Sequence, residues 1–307
     1  MRVALIGVPS SAGAHFPGQE KAPVALRGAG LASRLESAGL DVIDLGDLPE
    51  AVCRLHPNER NHQNLAAVVE VCERVAARVE EARVIGGLPL IMGGDCTITV
   101  GAVAGLLRCT DSLGLVYMDG SPDLNGPQDS PTGILDSMGL THLIGEGEPA
   151  LSGIGPRSPM LDPADVVAFA FHPGSLNPSE SRRLAEHAIH ALPVAEVSDD
   201  VTGAATRVLA VLASYSDILV HFDVDVLEFV GFPAGNIPQY GAGLTLGEAA
   251  EALRVFATAP QLAGLVVTEF NPDRDRDGAY AAALVDTLAE AIGGPLSAAS
   301  ATEKWRR

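Results

Sequence analysis

Acidic side chains collect at the ends of apolar runs, and these junctions are where chemistry is to be sought. Residues 88–92 lead into Asp95 and Cys96, and residues 113–118 into Asp119 and Asp123. Residues 218–222 lead into Asp223 and Asp225, and residues 262–267 into Glu269. In α/β sheets, ligands bind at the carboxyl ends of strands. Acids buried together there are costly without a compensating cation. A divalent metal or a cationic substrate supplies that compensation. In an extended segment the carboxylates of Asp223 and Asp225 point the same way, which suits one or two bridging metal ions. Alone, such a pair also reads as a solvated strand end, and Asp119 with Asp123 around a Gly and a Pro also reads as a turn. Together, each after an apolar strand, they favour a site. Cys96 after Gly-Gly-Asp is open to two readings, a thiolate ligand or a small buried hydrophobe. Cys53, Cys72 and Cys109 read as structural.

The elements that must hold these groups alternate along the chain. Strands are expected at 3–8, 42–45, 88–92, 113–118, 166–171, 218–222 and 262–267. Helices are expected at 24–38, 61–82, 97–107, 180–190, 202–213, 246–257 and 278–292. The second of these carries Leu65, Val68, Val69, Cys72 and Val75 at helical spacing. Strands separated by helices imply a three-layer α/β/α sandwich with a central parallel sheet. Lacking a repeat or a linker, residues 1–307 read as a single domain, with a frayed tail at about 297–307.

Of 307 residues, 47% are hydrophobic, enough for a large core. Twenty basic residues against 39 acidic ones give a net charge of −19. That charge argues against nucleic acid and anionic membranes as partners. Four cysteines in a chain this long do not make a disulfide scaffold. The first residues read as a strand rather than a signal peptide. No apolar run reaches the ~18–20 residues that span a bilayer, so a cytoplasmic protein is expected.

The motifs resemble those of the arginase/agmatinase ureohydrolases, in the same order along most of the chain. Gly93-Gly94-Asp95-Cys96-Thr97 is similar to that family's Gly-Gly-Asp-His-Ser. Asp119-Gly-Ser-Pro-Asp123 is similar to its Asp-Ala-His-x-Asp, and Phe222-Asp223-Val-Asp225 to its Phe-Asp-x-Asp. Ala22-Pro23, Gly46-Asp47, Gly243-Leu244-Thr245 and Glu269-Phe270-Asn271-Pro272 match further signatures. The resemblance implies hydrolysis of a guanidino compound to urea, by a hydroxide held between two Mn²⁺ ions. It implies metal ligation by Asp119, Asp123, Asp223 and Asp225, and a guanidinium-holding role for Glu269. It also implies a trimer or hexamer.

The departures are specific. Cys96 stands at the first ligand histidine of the family, Ser121 at the second, and Asp136 at its proton-shuttling histidine. One ion would see Cys96, Asp119, Asp123 and Asp223; the other would depend on Ser121, a poor donor. The expectation is one ion, Mn²⁺, with Zn²⁺ or no ion as the alternatives. His221 offers an imidazole, but strand alternation is expected to turn it away from Asp223 and Asp225. As a proton shuttle Asp136 needs a much raised pKa. Asn125 and Thr132 fall where the family holds a substrate carboxylate, and Asn177 where it holds an amino group. These residues lean toward an arginine-like or N-hydroxyarginine-like amino acid. The alternative is a catalytically inactive relative that binds a guanidino ligand or a partner subunit. Chemistry with Cys96 as nucleophile ranks last, Asp95 being the one base in view.

Overall fold

The computed structural model describes residues 1–56, 62–238 and 240–300, with side chains to residue 295. Eight strands form one sheet: β1 Arg2–Gly7, β2 Asp41–Asp47, β3 Leu88–Met92, β4 Leu113–Met118, β5 Val166–Phe171, β6 His190–Pro193, β7 Asp217–Asp223 and β8 Leu262–Thr268. The order is β2-β1-β3-β8-β7-β4-β5-β6, with every pairing parallel. The central strands β3, β4, β5 and β8 are buried along their whole length. Their near-continuous apolar sequence follows from having both faces covered.

Alternate residues of each strand feed two cores. Val3 and Leu5 face one, Ala4 and Ile6 the other. The second core is covered by α3 (Leu65–Val84), α4 (Ile98–Leu107), α5 (Gly139–Leu143) and α6 (Pro149–Ser152). The first is covered by α1 (Ala22–Gly28), α2 (Leu31–Ser37), α8 (Val194–Asp199), α9 (Val201–Val211), α10 (Leu246–Phe256) and α11 (Ala279–Ser300). Helix α7 (Pro178–Glu186) stands beside the cavity described below. This is the three-layer α/β/α arrangement that alternation implied.

Several boundaries differ from the sequence reading. The stretch 24–38 is two helices, because Gly30 takes a left-handed φ of 88° between them. The helix expected over 180–190 ends at Glu186, and an eighth strand begins at His190. The last helix runs to Ser300 rather than stopping at 292. Residues 301–307 of the expected frayed tail lie outside the described residues, as does Asn61. Among the described residues no helix is long and apolar enough to cross a membrane.

Candidate metal centre and cavity

Four consecutive strands in the middle of the sheet, β3, β8, β7 and β4, deliver the acidic junctions to one place. After β3 the chain turns through Gly93, where an added Cβ would sit 2.6 Å from a Pro23 carbon. Asp95 then braces the loop. Its carboxylate accepts hydrogen bonds from the Gly13 N–H at 3.0 Å and the Thr97 N–H at 3.1 Å. That role leaves Asp95 engaged with the loop rather than facing Cys96 as a base.

Cys96 faces the acids. Its thiol donates to Asp223 Oδ2 at 2.6 Å and lies 3.8 Å from Asp119 Oδ2. His221 Nε2 is 3.3 Å from the same Asp119 oxygen. Donor atoms of Cys96, Asp119, His221 and Asp223 all lie within 4.8 Å of one another, and all four residues are buried. His221 is therefore not turned away. Residues 221 and 223 are two apart on one strand, so they share a face.

Asp123 and Asp225 sit differently from the expectation. Tyr117 donates its hydroxyl to Asp123 Oδ2 at 2.6 Å. The strand carrying Asp223 ends there, and a 3₁₀ turn over Val224–Val226 follows, so Asp223 and Asp225 are not on an extended segment. Asp223 Oδ1 accepts the Asp225 N–H at 2.6 Å, and Asp225 Oδ1 accepts the Gly120 N–H at 3.1 Å. Among the described residues, neither Asp123 nor Asp225 joins a tight donor group, although both line the cavity.

A second tight group contains Cys96, Asp136 and Glu269. Asp136 accepts the Cys96 N–H at 2.6 Å. Gln19 donates to both Glu269 oxygens, at 3.0 and 3.1 Å. Glu269 and Asp123 hold left-handed backbones, φ 61° and 47°, which non-glycine residues seldom adopt. Such conformations persist where the surroundings over-determine them, and they cluster at functional sites.

Burial dominates the electrostatics. It holds the Asp119, Asp123, Asp136, Asp223 and Glu269 carboxyls well above their ordinary range. Neighbouring acids push the same way, Asp123 on Asp119 and Asp136 on Glu269. Asp225 is raised to about 6. The Cys96 thiol is raised by burial and by Asp223. The condition that Asp136 needed to carry a proton near neutrality is met in direction.

These groups floor a cavity of about 360 Å³. Asn125 and Thr132 line its wall. Asn177 also lines it, but its amide is spent. The oxygen accepts the Ser179 and Glu180 N–H groups as the cap of α7, and the nitrogen donates to Asn125 at 2.5 Å. Asn177 thus has no free acceptor for an ammonium group. The buried carboxylate nearby is Glu180, which accepts from Asn125 at 3.1 Å.

The arginase family model matches residues 1–293. The chain belongs to the arginase family. It is 33% identical over 293 residues to the arginase of Bacillus caldovelox, covering 93% of this chain and 97% of that one. It is 28% identical to the arginase of Brevibacillus brevis over 96% of this chain and 98% of that one. The native structure of the Bacillus caldovelox arginase superposes with a TM-score of 0.88 at 32% identity, covering 95% and 98% of the two chains.

Within this arginase-family fold, the residues fit a divalent cation. A thiol, an imidazole and two carboxylates converge at a buried point. Four acid-bearing junctions share one cavity, with no lysine or arginine among its described lining residues. Sequence reasoning passed over Glu180, Gln19 and the inward aim of His221. The i, i+2 spacing of His221 and Asp223 was a readable signal for the last; nothing local in the sequence marks Gln19.

Proposed function

We propose that the protein is a cation-dependent hydrolase of a guanidino compound, with one ion at an altered centre. The observation that carries this reading is the meeting of Cys96, Asp119 and Asp223 on the cavity floor with Glu269 beside them. When bound, a divalent ion there would lower the pKa of water and supply a nucleophile at neutral pH. Cys96, Asp119 and Asp223 would hold such an ion from the cavity side.

Glu269, oriented by Gln19, accepts the guanidinium N–H groups. Charge-assisted hydrogen bonds of this kind both bind and orient. Oxygen from water bonds to the guanidinium carbon, and the bond from that carbon to the alkyl-bearing nitrogen breaks. The departing nitrogen takes a proton, and the products are urea and an amine. Asp136, whose carboxyl burial holds well above its ordinary range, supplies that proton, the general-acid role, and regains one from the attacking water, whose other proton passes to solvent. Asn125 and Thr132 receive a substrate carboxylate, and Glu180 rather than Asn177 receives an ammonium group. This favours an arginine-like amino acid, with N-hydroxyarginine-like compounds included. We infer a homo-oligomer from the family resemblance.

The test is urea release from a panel of guanidino amino acids with Mn²⁺ or Zn²⁺ present. Turnover of one compound, lost in Glu269→Gln, supports the reading; no turnover of any contradicts it. The second reading, an inactive binder of a guanidino ligand or partner subunit, is favoured by the hydrogen bond that occupies Asp123. It is distinguished by guanidino binding without urea.

A further inference from the structure

We infer that His221 supplies an imidazole donor, so that Cys96, Asp119, His221 and Asp223 form a single centre that selects zinc over manganese. This rests on the cation-dependent reading above. It changes the expected donor set, replacing Asp123 with a residue the sequence pattern had turned away.

The donor types argue first. Thiolate and imidazole beside two carboxylates make a mixed S, N, O set. Manganese favours oxygen-rich octahedral sites, whereas thiolate and imidazole suit zinc. Spacing argues second. Bonds of ~2.0–2.3 Å to a tetrahedral zinc put neighbouring donors about 3.3–3.7 Å apart. The observed contacts of 3.3 Å from His221 to Asp119 and 3.8 Å from Cys96 to Asp119 lie near that range. The shorter 2.6 Å contact from Cys96 to Asp223 is a hydrogen bond. On ion binding the thiol proton leaves to solvent, and the two donors separate around the cation.

The imidazole is already held for the task. Thr99 Oγ1 engages its Nδ1 at 2.7 Å, leaving Nε2 toward Asp119. A partner on the far nitrogen is what ligating histidines commonly have. The ring stacks on Tyr117, centroids 4.0 Å apart and planes 9° apart. Cys96, Asp119 and Asp223 line the cavity and His221 does not, so the imidazole approaches from the protein side. A fifth position toward the cavity stays compatible with zinc, which expands its shell during catalysis.

The experiment loads the chelator-treated full chain with Co²⁺ and follows the thiolate-to-cobalt charge-transfer absorption. The band should saturate at one cobalt per chain, bleach with equimolar Zn²⁺, and survive a large excess of Mn²⁺. Cys96→Ser should abolish it, and His221→Gln should weaken cobalt binding by at least about 100-fold. Equal displacement by Mn²⁺, or unchanged affinity in a folded His221→Gln, overturns the proposal. Zinc K-edge absorption on the unmutated protein needs no variant. One sulfur at ~2.3 Å with imidazole scattering is expected; a shell of oxygen alone overturns it. Urea release supported by Mn²⁺ with such an oxygen shell would leave the hydrolase reading standing and remove this one. A zinc centre of the stated shell with no urea release would do the reverse.

Discussion

The Tyr117 hydroxyl donates to Asp123 Oδ2 at 2.6 Å while the Tyr117 ring lies flat against His221. Tyr117 and His221 are paired in register on β4 and β7. One aromatic pair therefore props two functional groups at once, Asp123 directly and His221 by stacking. It ties Asp123 to Tyr117, while Cys96, Asp119, His221 and Asp223 form a tight donor group; the one-ion centre proposed above rests on that division.

Removing that hydroxyl should be felt in stability. Tyr117→Phe keeps the stack but leaves a buried carboxyl without its donor. Leaving a buried acceptor unsatisfied costs about 1–3 kcal/mol, so a loss of ~2 kcal/mol in urea unfolding is expected. No change would mean that Asp123 finds another partner.

Glu269→Gln should cut kcat/KM by about 10²–10³, since truncating a buried charge pair costs about 2–5 kcal/mol. The fold should survive, because Gln19 can still bond to the replacement amide. Steady-state kinetics on the best guanidino substrate checks this. Gln19→Leu should give a smaller loss, carried mainly by KM, as befits a residue that orients Glu269.

Capping links α7 to the cavity wall. Asn177→Ala removes the acceptor for two backbone N–H groups, and loss of such a cap costs about 1 kcal/mol. It also frees Asn125 and Glu180, so KM should rise more than kcat falls. Asn177→Asp keeps the cap and should restore most of the stability.

The pH dependence follows from the raised carboxyls. Asp225 titrates at about 6 in the folded chain, above its ordinary 3.8, because burial disfavours its charge. Asp119, Asp136, Asp223 and Glu269 are shifted in the same direction. The folded state thus binds more protons than the unfolded one above pH ~4, so stability of the metal-free chain falls as pH rises through about 6. Saturating metal should flatten the dependence and raise Tm, since it binds the folded form. Thermal melts at a series of pH values, with and without metal, check both signs.

Much of this was legible from residue types and order. Apolar runs ending in Asp119, Asp223 and Glu269 marked the sheet and its active edge, because buried parallel strands read as continuous hydrophobic segments. The short edge strand β6 was not legible: His190–Pro193 is only partly buried and carries no strong β pattern. Gly30 divided a helix that periodicity alone joined. At the site, Asp223 and Asp225 were read as one extended pair, but the turn after Asp223 depends on its side chain accepting the Asp225 N–H. His221 was legible in principle from its spacing to Asp223. Gln19 and Glu180 reach their places through tertiary folding, from 250 residues away in sequence for Gln19 and Glu269.

The most direct test of the account is the metal content of the full chain after equilibration with divalent metal and removal of the free ions, read together with urea release. One tightly held ion per chain, lost in Asp223→Ala and accompanied by guanidino hydrolysis, is the predicted result. Two tightly held ions would contradict the one-ion centre, and a folded chain that retains none would contradict the cation-dependent hydrolase itself.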